Sequence, residues 1–233
     1  MLRLLVDLGV DLDRAVKHAT PLFGAAMGPD PAAVEALLAA GADVHTSPAP
    51  LSGACFLCIE RPHAGTDRVI DLLVAAGADP NDEDERGYRP LHAALGANTF
   101  GPGYQASDGF NLPAALALMR HGASIDITFP ESGYRPLHAA AAASSPELIT
   151  ALLAAGAVPT DRDVDGNTPL AVARRSRDHL VDDPPTIEKA RAMDRIRTAQ
   201  QDPEAVAERR LASWLADHRE RVERATRCVD LLT

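Results

Sequence analysis

Four times along the chain an apolar pair stands four residues ahead of a glycine: Leu37-Leu38 before Gly41, Leu73-Val74 before Gly77, Leu118-Met119 before Gly122 and Leu152-Leu153 before Gly156. Ahead of these pairs, and once after the last, stands a Pro-Leu step opening an Ala-rich run, at Pro21, Pro50, Pro90, Pro136 and Pro169. Proline lacks the N–H that a first helical turn leaves unpaired, and its φ is preset for a helix, so each Pro-Leu step is expected to start one. Each glycine is expected to end a second helix in the left-handed conformation. Thr20 and Thr168 precede two of the prolines and can cap them. Small pairs such as Ala25-Ala26, Ala93-Ala94 and Ala139-Ala140 let neighbouring first helices approach closely. The spacing therefore predicts an all-α chain of repeated helix pairs. Past Pro169 the pattern changes. Asp182-Asp183-Pro184-Pro185 ends a helix, Ile187, Ala190, Met193 and Ile196 mark a short amphipathic one, and Asp202-Pro203-Glu204 opens a longer one. Its apolar line runs through Val206, Leu211, Trp214, Leu215, His218, Val222, Ala225, Val229 and Leu232.

The repeat is literal in one place: Gly-Tyr-Arg-Pro-Leu-His-Ala-Ala opens at Gly87 and returns unchanged at Gly133. With Gly-Ala-Asp at Gly41 and Gly77 and Gly-Ala-Ser at Gly122, the chain resembles the ankyrin-repeat family over residues 1 to about 180. The resemblance implies a solenoid of about five helix-turn-helix units with finger turns along one edge, occupying residues 1–180. Residues 186–233 form a helical extension, read either as a cap on the array or as a surface for a partner helix. No single unit buries its own apolar face, so stacking must supply the core. Departures from the family word are concentrated in its polar positions. Threonine becomes Ala49, Arg89 and Arg135, and histidine becomes Phe23, Ser52 and Ala171. His92 and His138 are expected to be framework residues, because both occupy one repeated position. Leu4-Leu5-Val6-Asp7-Leu8-Gly9 matches a second helix, so the sequence opens in mid-repeat. That opening fits an economical cap, a start inside a longer protein or a face covered by a partner.

Two units carry insertions between their helices. Pro21 to Gly41 and Pro136 to Gly156 span twenty residues, whereas Pro50 to Gly77 spans 27 and Pro90 to Gly122 spans 32. The second insertion, Thr99 to Phe110, holds Phe100, Tyr104 and Phe110, three of the nine aromatic residues. It is read either as a loop folded back on the stack or as a binding loop with aromatic anchors. Its glycines lack the phasing of a phosphate cradle.

Charge adds the one signal that runs along the array. Of the net charge of −10, residues 1–185 contribute −11 and the tail +1. The acids gather at the turns expected to become fingers: Asp82, Glu83, Asp84 and Glu85, then Asp126 and Glu131, then Asp163 between Asp161 and Asp165. Such a ridge repels nucleic acid and anionic membrane and attracts a basic protein. The alternative is a solvated acidic edge. The candidate binding set is therefore these acids together with Phe100, Tyr104 and Phe110, in a monomer or a heterodimer with its partner.

Apparent chemical motifs fail on inspection. Asp161-x-Asp163-x-Asp165-Gly166 opens like a calcium loop, but its ninth and twelfth positions are Pro169 and Val172 where ligands are needed. Cys55-x-x-Cys58 near His63 lacks a second pair for zinc, and no nucleophile-base-acid spacing is present. No catalysis, metal or cofactor is expected. Three cysteines, the lack of a 20-residue apolar span and a start without a cleavage site fit a reducing, cytoplasmic setting. Arginine far outnumbers lysine, a bias of GC-rich bacterial genomes. By resemblance, an acidic bacterial ankyrin chain suggests an immunity or inhibitor protein that neutralises a basic toxin. The other readings are a regulatory or targeting domain of a larger protein and an effector that engages a host protein.

Overall fold

The computed structural model describes residues 11–15, 19–47, 49–55, 65–96, 111–130, 132–182, 184, 186 and 203–233, with side chains of the last helix described from residue 211 onward. The mid-repeat opening at residues 1–10 and the short helix expected around Ile187 to Ile196 lie outside the described residues, as do Cys58 and His63. Ten helices and no strand occur among the described residues. First helices are α1 (Pro21–Met27), α3 (Pro50–Cys55), α5 (Pro90–Ala94), α7 (Pro136–Ala142) and α9 (Pro169–Asp182). Second helices are α2 (Pro31–Ala39), α4 (Thr66–Ala75), α6 (Leu112–Arg120) and α8 (Pro146–Ala154), and α10 (Pro203–Leu232) follows.

All five expected prolines open a helix. Thr20 Oγ1 accepts from Phe23 N–H, and Thr168 Oγ1 accepts from Ala171 N–H. Asp30, Asn111 and Ser145 cap α2, α6 and α8 by accepting from Ala33, Ala114 and Leu148. The second helices share one ending. The N–H of Ala42, Ala78, Ala123 and Ala157 reaches back to the carbonyl of Leu37, Leu73, Leu118 and Leu152 at 2.9–3.0 Å. The glycine between them has φ of +81° to +107°. This is the six-to-one Schellman bond, which glycine permits because it has no Cβ.

The same leucines hold the stack. Leu73, Leu118 and Leu152 are fully buried, and Leu22, Leu51, Leu91 and Leu137 fill the matching layer from the first helices. Second helices pack in a continuous row, α2 on α4, α4 on α6 and α6 on α8, while first helices pair α1 with α3, α3 with α5 and α7 with α9. Where histidine is replaced by Phe23, its ring lies on the next unit: a Cβ added to Gly53 would meet Phe23 Cε2 at 2.8 Å.

The row of second helices does not stop at α8. The long helix α10 packs on both α8 and α9, in the position a fifth second helix would take, although its sequence has no Leu-Leu…Gly ending. Its last turns fill that position, with Ala225, Cys228, Val229 and Leu232 buried. Cys228, absent from the expected apolar line, is wholly enclosed there. Upstream the line loosens: Leu211, Trp214, His218 and Val222 are half-buried and Leu215 is exposed. Length explains this. Thirty residues span about 45 Å, whereas the fourteen of α9 span about 21 Å.

Two outcomes follow. Leu152→Ala should lower unfolding free energy by about 2–5 kcal/mol in urea titration, because a buried leucine leaves a cavity between two units. Removal of residues after Pro185 should lower the melting temperature and promote aggregation, since α8 and α9 then expose apolar surface.

Candidate protein-binding surface

Between consecutive units the chain turns along one edge, and three of these turns are here called fingers 2, 3 and 4. Fingers 2 and 4 use one construction. Asp84 N–H donates to Tyr88 O and Asp163 N–H to Asn167 O, while Gly87 and Gly166 take positive φ at the tip. Finger 3 has the same closure, Phe129 N–H to Tyr134 O at 2.8 Å, with Gly133 at φ +65°. Gly133 is needed twice over, because a Cβ there would also lie 2.8 Å from Val164 Cγ1. That close approach accompanies a bond between fingers, Val164 N–H to Ser132 O at 3.2 Å.

The acids on these fingers divide into three groups. Asp84 and Asp163 hold the turns. Asp84 Oδ1 accepts from the N–H of Arg86 and of Tyr88, and Asp163 Oδ1 accepts from the N–H of Asp165 and of Asn167, with the Asn167 amide adding two more bonds. Burial pushes both carboxyls upward, but the bonds from Tyr88 and Arg86 in one case and Asn167 and Asp165 in the other outweigh it. Both therefore titrate below the ordinary carboxylate value.

A second group is paired with arginine. Glu83 meets Arg89 at 2.6 Å, and Arg135 bridges Asp126 of its own unit to Asp161 of the next, the latter at 3.1 Å. Pairs this exposed contribute about 0–1 kcal/mol each, so they orient the fingers more than they stabilise them. The third group is Asp82, Glu85 and Asp165, exposed and without an ion pair among the described residues. Glu131, Phe100, Tyr104 and Phe110 lie outside the described residues.

The flanks of the insertion are placed. First helices run away from the finger edge and second helices return to it, so Gly96 and Asn111 lie at the opposite edge. Asn111 is anchored there, its N–H on Ala94 O at 2.8 Å.

Aromatic groups at the finger bases were overlooked in the sequence. Tyr88 stands edge-on to His92 with centroids 5.4 Å apart, His92 stands edge-on to Phe129 at 5.0 Å, and Tyr134 stacks on His138 at 5.4 Å. Tyr88, Phe129 and Tyr134 are half-buried, and Val164 of finger 4 is 70% exposed. The signal was available, since the tyrosine recurs in the repeated word.

No group of His, Cys, Asp or Glu among the described residues could hold a metal ion. Cys55 is enclosed, and burial drives its thiol far above the usual range; Cys228 is pushed up to about 12, first by burial and then by Glu147. Neither is a nucleophile at neutral pH.

Asp163→Ala should cost about 1–3 kcal/mol at pH 7 in urea titration, because two finger N–H groups lose their acceptor. A carboxyl held below its unfolded value stabilises fully above about pH 4–5, and that contribution disappears as pH falls through the folded value. The gap between variant and wild type should therefore close below about pH 4.

The ankyrin repeat family model matches residues 132–164, from the tip of finger 3 through α7 and α8 into finger 4. No curated protein matches the chain. No helix among the described residues is long and apolar enough to cross a membrane. The matched unit has the same proline start, glycine ending and closed finger as the unit before it, and ankyrin repeats serve protein–protein interaction. The chain carries an ankyrin repeat at residues 132–164 within an all-α array consistent with the ankyrin-repeat fold.

Proposed function

We propose that fingers 2 to 4 bind a basic protein and that the chain acts as a non-catalytic inhibitor, an immunity protein for a basic toxin being the specific case. The observation that carries this reading is the set of exposed carboxylates without an ion pair among the described residues, Asp82 and Glu85 on finger 2 and Asp165 on finger 4. The three fingers hold ten acids against four arginines, and turn-closing and paired acids still contribute to the field that a partner meets. Tyr88, Tyr134 and Val164 provide apolar area beside the charge, and Phe100, Tyr104 and Phe110 add aromatic anchors. In this reading residues 1–180 bind and residues 186–233 close the array. A regulatory array within a larger protein, or an effector for a host protein, would use the same surface.

The test starts from the partner captured in the native cell, with association and dissociation measured at several salt concentrations. Asp82→Lys with Glu85→Lys should slow association and flatten its salt dependence, because steering acts within about 8 Å at physiological ionic strength. Tyr134→Ala should instead speed dissociation, by about 1–3 kcal/mol. Indifference to both sets of changes would move the interface away from the fingers. If the partner is a toxin, co-expression should restore growth, and the charge-reversed form should protect less at equal expression.

A further inference from the structure

Four first helices of this array have their starts closed in two chemically different ways. At α1 and α9 a hydroxyl serves, Phe23 N–H donating to Thr20 Oγ1 at 3.2 Å and Ala171 N–H to Thr168 Oγ1 at 3.3 Å. At α5 and α7 the threonine position is arginine, and an imidazole closes the turn. Arg89 N–H donates to His92 Nδ1 at 2.9 Å, and Arg135 N–H donates to His138 Nδ1 at 3.2 Å. The far nitrogen of each ring joins the following unit: His92 Nε2 lies 3.3 Å from Thr128 O and His138 Nε2 lies 3.1 Å from Asn167 O.

A ring that accepts at Nδ1 and donates at Nε2 is neutral. A proton on Nδ1 replaces the acceptor with a donor aimed at another N–H. His92 is 2% exposed and His138 fully buried, so water cannot take over the broken bond while the fold is closed.

The groups around the rings do little to hold an imidazolium. Glu83, Asp84, Tyr88 and Arg89 face His92 from its own finger, and Thr128 and Phe129 face it from the next. Tyr134 and Arg135 face His138 from its own finger, and Asp163 and Asn167 from the next. Glu83 is engaged by Arg89, Asp84 by Arg86 and Asp163 by its turn.

We propose that acid opens this array from the middle: protonation of His92 releases the start of α5 and its bond to the following unit, while the hydroxyl-capped α1 and α9 hold. Fingers 2 and 3 border this unit, so the finger surface loosens there whatever it binds. Burial holds His92 below its ordinary titration range, against the Thr128 carbonyl, which pulls upward; Arg89 adds to the lowering, and Asp84 and Glu83 oppose it. A histidine that binds protons less readily folded than unfolded stabilises fully above about pH 6.5, and this contribution is lost as pH falls toward the folded value.

The experiment is amide hydrogen exchange on the full chain at pH 7.5, 6.5 and 5.5, with intrinsic rates divided out. Opening at the amide of Arg89 and in the first turn of α5 should rise on the order of tenfold between pH 7.5 and 5.5. The amides of Phe23 and Ala171 should change by less than about twofold and serve as internal controls. His92→Gln should flatten the response; if it fails to fold, the wild-type comparison decides alone. Equal loosening at the starts of α1, α5 and α9, or α5 as protected at pH 5.5 as at pH 7.5, would overturn the proposal.

Discussion

A helix pair taken alone from this chain leaves its leucine row facing solvent, and the rest of the structure depends on that fact. Leu73, Leu118 and Leu152 are buried because the next second helix lies over them, and the same residues lend their carbonyls to the glycine-ended turn that launches the following finger. Burial and direction are thereby coupled within each unit. Fully burying one leucine contributes roughly 1.5–3 kcal/mol against a net stability of about 5–15 kcal/mol for a whole domain. The stack is consequently cooperative over neighbours, and the local sequence of any unit has meaning only next to another.

Much of this was legible because it is written in residues whose backbone behaviour is restricted. Proline at 21, 50, 90, 136 and 169 and glycine at 41, 77, 122 and 156 announce helix starts and ends without reference to tertiary contacts, and the structure places both sets in those roles. The fifth second helix was not legible. Its apolar line through Ala225, Val229 and Leu232 was in view, but its last turns carry no glycine ending, and the burial of Cys228 against α8 and α9 follows from packing in space. A long polar helix can fill a repeat position without carrying the repeat's sequence.

The finger surface was legible as charge but not as chemistry. Asp82 and Asp84 are the same letter two places apart, yet one carboxylate points to solvent while the other closes a turn through two N–H groups. Sequence counts both toward an acidic ridge, and the backbone alone separates them. The tyrosines fared differently. They stood in plain view in a word repeated without change, but their contact with histidine requires the finger and the helix start to be seen together.

Fingers 3 and 4 are joined through Ser132 and Val164, and again through Arg135 reaching Asp161. They form one preorganised body, since the conformational entropy of their relative placement is lost when the chain folds and would not be lost again on association with a partner there. Changes made separately in the two fingers should therefore combine non-additively in affinity, with a coupling term that belongs to the free protein and not to any contact across the interface.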